Sequence, residues 1–113
     1  MAFGKPFALS HIMILIITRM KVLSEKRMEL AQTIASLANS IRMKKGCRRC
    51  DLCQDIEDEN GLFFLEEWDT RENLMTYLKS EHYRVFRGAM TLLKEPYERI
   101  FHTRSHPAGM EKM

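Results

Sequence analysis

The stretch Asp58-Glu59-Asn60-Gly61-Leu62-Phe63-Phe64-Leu65-Glu66-Glu67-Trp68 decides the fold. Its first four residues are the types a tight reversal wants, and the apolar run Leu62 to Leu65 that follows reads as a strand. Cys47 to Ile56, before it, reads as the strand it pairs with, so the two predict a hairpin. Successive side chains of a strand point to opposite faces. Leu62, Phe64 and Trp68 therefore fall on one face and Phe63 and Leu65 on the other, and both are apolar. Ile14 and Ile16 oppose Leu15 and Ile17 in the same way. An antiparallel sheet with one face in water would alternate apolar with polar residues instead. The second face needs a cover, and an identical subunit packed sheet against sheet is predicted.

Ile12 to Val22 is rich in β-branched residues and is followed by Ser24, an expected helix N-cap. From Ser24 to Met43, Leu30, Ile34, Leu37, Ala38 and Ile41 recur at steps of three and four, and Gly46 is the expected stop. Beyond Trp68, Asp69 or Thr70 caps another helix, with Glu72 completing a capping box and Leu74, Tyr77 and Leu78 facing inward. Ser80 restarts the helix after a break, and Val85, Phe86, Ala89, Met90 and Leu93 continue an inward stripe until Pro96 forbids more. Tyr97 to Thr103 reads as a last strand. The order βαββαβ predicts an α+β, ferredoxin-like domain, a four-stranded antiparallel sheet with both helices on one face. The domain is expected over residues 13–104, with an N-terminal extension over 1–12 and a C-terminal tail over 105–113; Met13 is an alternative biological start.

A chain of 113 residues suits one such domain. Its net charge of +3 is small and its basic residues are scattered among acids, which disfavours nucleic acid as a partner. The densest basic run, Arg42 to Arg49, falls where a helix ends, and cations there complement the helix dipole. Three cysteines without a secretory signal suggest a reducing compartment, so a cytoplasmic location is expected. The apolar run Ile12 to Ile17 is too short to span a bilayer, so no membrane association is expected.

Cys47, Cys50 and Cys53 begin like an iron–sulfur motif, but a fourth cysteine is missing. On a regular strand, moreover, Cys50 points away from the other two, so no metal is expected. His82 falls near a helix start, where the positive helix end favours a neutral imidazole able to pass a proton; a capping or packing role is the plainer reading. His11, His102 and His106 fall near presumed ends. Trp68 shares a face with Phe64 and Glu66, and Tyr77, Phe86 and Met90 come from the helix expected to cover it. Core packing accounts for most of these side chains, yet together they would line an aromatic cleft suited to a flat ligand. Alternation sends Glu66 and Glu67 to opposite faces.

Gly46-Cys47, Gln54-Asp55-Ile56-Glu57-Asp58, Phe64-Leu65-Glu66-Glu67-Trp68 and Leu78-Lys79-Ser80-Glu81-His82-Tyr83 with Phe86 resemble successive signatures of the antibiotic biosynthesis monooxygenase family. The resemblance spans roughly Met13 to Thr103 and implies a dimeric α+β barrel. It implies a monooxygenase that oxidises a small aromatic or quinol-type substrate with dioxygen and needs neither metal nor flavin, so no cofactor is expected. Under it Trp68 stacks on the substrate, His82 or Tyr77 transfers the proton, and Arg87 stabilises the anion. Phe64, Thr18, Phe86 and Met90 complete the substrate-binding set. Phe64 stands where a polar residue would help hold a substrate anion. The haem-degrading branch of the family carries asparagine, tryptophan and histidine where Thr18, Tyr77 and Arg87 stand here. The competing expectation is a non-catalytic dimeric module that binds a small apolar ligand or a protein partner.

Overall fold

The computed structural model describes residues 12–105. The expected extension up to His11, the choice of start and the tail from His106 lie outside the described residues. Strand β1 spans Ile12–Lys21 and is followed by helix α1, Arg27–Ile41. The hairpin is β2, Cys47–Gln54, and β3, Gly61–Trp68. Helices α2, Arg71–Leu78, and α3, Glu81–Ala89, lead to β4, Glu98–Ser105. The sheet order is β2-β3-β1-β4 with every neighbour antiparallel, the ferredoxin-like α+β arrangement.

One face of this sheet is closed by the helices. Ile14, Ile16, Thr18 and Met20 from β1 and Leu62, Phe64, Glu66 and Trp68 from β3 are buried there. The α1 stripe of Leu30, Ile34, Leu37, Ala38 and Ile41 covers them, joined by Leu74 and Tyr77 from α2 and Phe86 and Ala89 from α3. On the opposite face Ile17 pairs with Leu65 on one side and Ile100 on the other. Leu15, Ile17, Phe63 and Leu65 are only half-buried there, and Ile100 is exposed.

Local signals work as their chemistry dictates, with four corrections. Gly46 has φ +87°, and a Cβ on it would meet Asp69 Oδ1 at 2.4 Å. Its carbonyl accepts from Asp69 N–H at 2.9 Å, locking the end of the α1 turn onto the end of β3. Thr70 caps α2 by accepting from Asn73 N–H at 3.0 Å, and Ser80 caps α3 by accepting from Tyr83 N–H at 3.2 Å. Asn73, not Glu72, thus occupies the third helical position, and the expected capping box gives way to an Asn73 Nδ2 donation to Asp69 Oδ1. Ser24 does not cap α1: it opens a single 3-10 turn, Ser24–Lys26, and makes no capping hydrogen bond. Val85 is exposed, because its place on α3 lies between the buried Phe86 stripe and solvent.

The cysteines, fourth, do not follow the alternation of a regular strand. The β2–β3 register shifts between Cys47 and Arg49, so that Cys47 lies opposite Trp68 and Cys50 opposite Glu66. A bulge adds one residue to a strand and reverses its alternation. Cys47 and Cys50 therefore share the helix-covered face, and Cys53, opposite Phe63, lies on the other.

Candidate functional site

The side chain with the least natural reason to be buried is Glu66, at 0% exposure in the middle of β3. An apolar setting disfavours a carboxylate, and burial raises the Glu66 pKa, opposed by a hydrogen bond from Trp68 and the charge of Arg99. Trp68 Nε1, two residues along the same face, donates to Oε1 at 3.0 Å. Arg99 reaches across from β4 and places Nη2 3.8 Å from Oε2. The register explains the meeting, since Ile16 pairs with Glu66 while its neighbour Thr18 pairs with Arg99.

Aromatic rings hold this pair. Trp68 stacks on Tyr77 at 4.9 Å, Tyr77 meets the edge of Tyr83 at 5.4 Å, and Phe64 stacks on Phe86 at 5.2 Å. The Arg99 guanidinium lies over Tyr83, Phe86 and Phe101 at 5.2, 5.9 and 5.6 Å, distances suited to cation–π attraction. Its Nη1 donates to the Tyr83 hydroxyl. Phe101, at 54% exposure, and half-buried Tyr83 form the rim of the cluster. Within it, Thr18 Oγ1, Glu66 Oε2, the Tyr77 hydroxyl and Arg99 Nε and Nη2 are buried without a hydrogen-bond partner. Buried polar groups are normally paired, so these unpartnered donors and acceptors mark the centre as the candidate site.

The structure brings Thr18, Phe64, Trp68, Tyr77 and Phe86 together in this centre, and Met90 packs half-buried against the same core. His82 lies in the first turn of α3, half-buried, with Nδ1 shielded and without a partner. Arg87 does not join them: it is exposed and lines a surface groove with Lys79, Ser80 and Arg84. Sequence reasoning missed Glu66, Arg99 and Tyr83 as a unit. The parity shared with Trp68 was a signal for Glu66, whereas nothing local marks Arg99 before the β1–β4 register is known.

The family model described as antibiotic biosynthesis monooxygenase matches residues 13–89. The chain belongs to that family. A conserved protein of Methanosarcina mazei Go1 superposes with a TM-score of 0.78 at 24% identity, covering 85% of this chain and 96% of that one. A candidate antibiotic biosynthesis monooxygenase of Nitrosomonas europaea superposes with a TM-score of 0.79 at 20% identity, over 88% and 96% of the two chains. At such identities the likeness is one of fold. A candidate heme-binding protein of Haloquadratum walsbyi is 32% identical over 62 residues, 55% of this chain and 12% of that much longer protein.

Haem does not fit the centre described here. Phe64, Trp68, Tyr77 and Phe86 fill the space between sheet and helices ring upon ring at 0–1% exposure, leaving no porphyrin-wide slot among the described residues. Among the described residues no group of three His, Cys, Asp or Glu could hold a metal ion, and no helix is long and apolar enough to cross a membrane.

Proposed function

We propose that the protein is a cofactor-independent monooxygenase of a small aromatic or quinol-type substrate, acting as a cytoplasmic homodimer. The observation that carries this reading is the pair of buried Glu66 and half-buried Arg99 with unpartnered polar atoms, walled by Trp68, Tyr77, Phe64 and Phe86. A dihydroxyaromatic entering such a centre loses a proton, and the electron-rich anion then reduces dioxygen and recombines with it away from water. Exposed Phe101 and half-buried Tyr83 at the rim receive the substrate ring, while Trp68, buried and stacked on Tyr77, backs the site and anchors Glu66, with Thr18, Phe86 and Met90 behind it. The exposed position of Arg87 favours Arg99 for holding the anion. Tyr77 is a hydrogen-bond donor and not a base, because burial, then the Glu66 charge, pushes its phenol pKa far up. His82, at the rim of α3, passes the proton onward. The half-buried Leu15, Ile17, Phe63 and Leu65 support the second copy, which would cover them.

Oxygen uptake with a panel of quinols, without added metal or flavin, tests the reading. Substrate-dependent uptake is expected, and its absence across the panel overturns it. A rate unchanged in His82→Ala would remove that histidine from the mechanism. The exposed apolar ring of Phe101 beside the centre favours one rival, a module that binds an apolar ligand without turnover. Saturable quenching of Trp68 emission without oxygen uptake would establish that rival.

A further inference from the structure

Resting on the monooxygenase reading and deepening it, we propose that Glu66 takes the proton of the substrate's aromatic hydroxyl and that Arg99 holds the oxygen anion this leaves. Arg99 Nη2 and Glu66 Oε2 stand 3.8 Å apart, too far for a hydrogen bond, and neither has another partner. An oxygen placed about 2.8 Å from both would accept from the guanidinium and donate to the carboxylate. Arg99 Nε is a further free donor.

In the transfer the hydroxyl O–H bond breaks, an O–H bond forms at Oε2, and the bonding electron pair stays on the ring oxygen. One negative charge passes from Glu66 to the ligand while Arg99 remains its counter-ion. The buried centre holds one anion and one cation before and after, so no additional ion is desolvated. Trp68 anchors Oε1, and the Tyr83 hydroxyl with the rings of Phe86 and Phe101 keeps the guanidinium from following the charge. Facing Glu66 are Cys47 and Cys50 from β2, Tyr77 from α2 and Arg99 from β4. Burial, then the Glu66 charge, pushes the Cys50 thiol and the Tyr77 phenol far up, so neither competes for the proton. Burial also makes Glu66 a stronger base than an exposed carboxylate. Exposed Phe101 and half-buried Tyr83 lie against Arg99 on its solvent side, so a ligand would enter past them.

The probe is 4-cyanophenol, which is not a quinol and whose phenolate absorbs at longer wavelength than the phenol. It is added to the wild-type chain below its solution pKa. The expected bound spectrum is that of the phenolate, an apparent pKa lowered by about one unit or more, which is at least tenfold in the ionised-to-neutral ratio. No net proton should reach the buffer, and infrared difference spectra should gain a protonated-carboxyl band that shifts on 13C-glutamate labelling. Glu66→Gln, which still offers Trp68 an acceptor, should lose that band and release the proton to the buffer. Arg99→Gln should bind the probe neutral or at least tenfold more weakly. Labelling of the wild type identifies the proton acceptor even where a variant fails to fold. A neutral bound probe, a proton released to the buffer by the wild type, a band that persists in Glu66→Gln, or no binding at millimolar probe each overturns the assignment. Oxygen uptake with quinols alongside a neutral bound probe would sink the Glu66 assignment and leave the monooxygenase reading. An ionised probe with no uptake on any quinol would do the reverse.

Discussion

Glu66 gives the folded chain a measurable dependence on pH. Its folded pKa is raised by burial, so the native state keeps this proton more tightly than the unfolded chain does. Its contribution to stability is whole below the usual carboxylate range and is lost as pH rises through the folded value. Urea midpoints of wild type and Glu66→Gln, measured over a pH series from acid to neutral, should show the wild type losing ground to the variant as pH rises. A difference that stays flat would refute the raised pKa. Asp58 works in the opposite sense, since its hydrogen bond from Lys21 lowers its pKa, and comparing the two proteins cancels it. At Gly46, φ +87° and the closeness of Asp69 and Asn73 leave no room for a Cβ. Gly46→Ala should cost about 2 kcal/mol or more, read from a urea titration. That glycine was legible from sequence as a helix stop; its contact with Asp69 was not, because the two lie 23 positions apart along the chain.

Helices α2 and α3, of eight and nine residues, are too short to persist alone and depend on their caps and packing. Ser80→Ala should destabilise the protein by about 1 kcal/mol, and Thr70→Ala by a similar amount, in denaturant titrations. Ser80 carries more than its own helix, because the Tyr83 N–H it accepts from belongs to the residue whose hydroxyl takes the Arg99 bond. These boundaries were legible because a cap is a local signal, a serine or threonine beside a periodic stripe. Two features were not. The 3-10 turn Ser24–Lys26 displaces the expected cap, and the bulge after Cys47 turns that cysteine to the side opposite the one alternation assigns. Both are adjustments of chain path to the packing of neighbouring elements, which no single segment specifies.

At the scale of the molecule, the stripe Leu65–Ile17–Ile100 runs across three strands on the face away from the helices. Covering apolar surface contributes about 25 cal/mol per Å², which makes a second copy a strong stabiliser of this face. Ile17 and Leu65 are register partners on the same face, so a charge at either should act alike. Leu65→Lys is expected to give monomers or unfolded chains by light scattering at micromolar concentration, against dimers for the wild type. A stable, folded wild-type monomer under those conditions would defeat the dimer and the reading of the outer face with it.

The order of elements, the α1 stripe, the Ser80 cap before Tyr83, and the aromatic face of Trp68 and Phe64 were determined by the sequence alone, since each rests on spacing or residue type within one segment, whereas the choice of Thr70 over Asp69 as the earlier cap was not. The gathering of Glu66 and Arg99 was decided only by tertiary structure. The two lie on strands β3 and β4, which never pair, and β1 between them brings their side chains together on its covered face. Arg87 stays outside for a helical reason, since the turn that buries Phe86 carries its neighbour to solvent. Periodicity tells which face of an element is covered; which charged groups meet beneath that cover depends on the pairing of strands far apart in the chain.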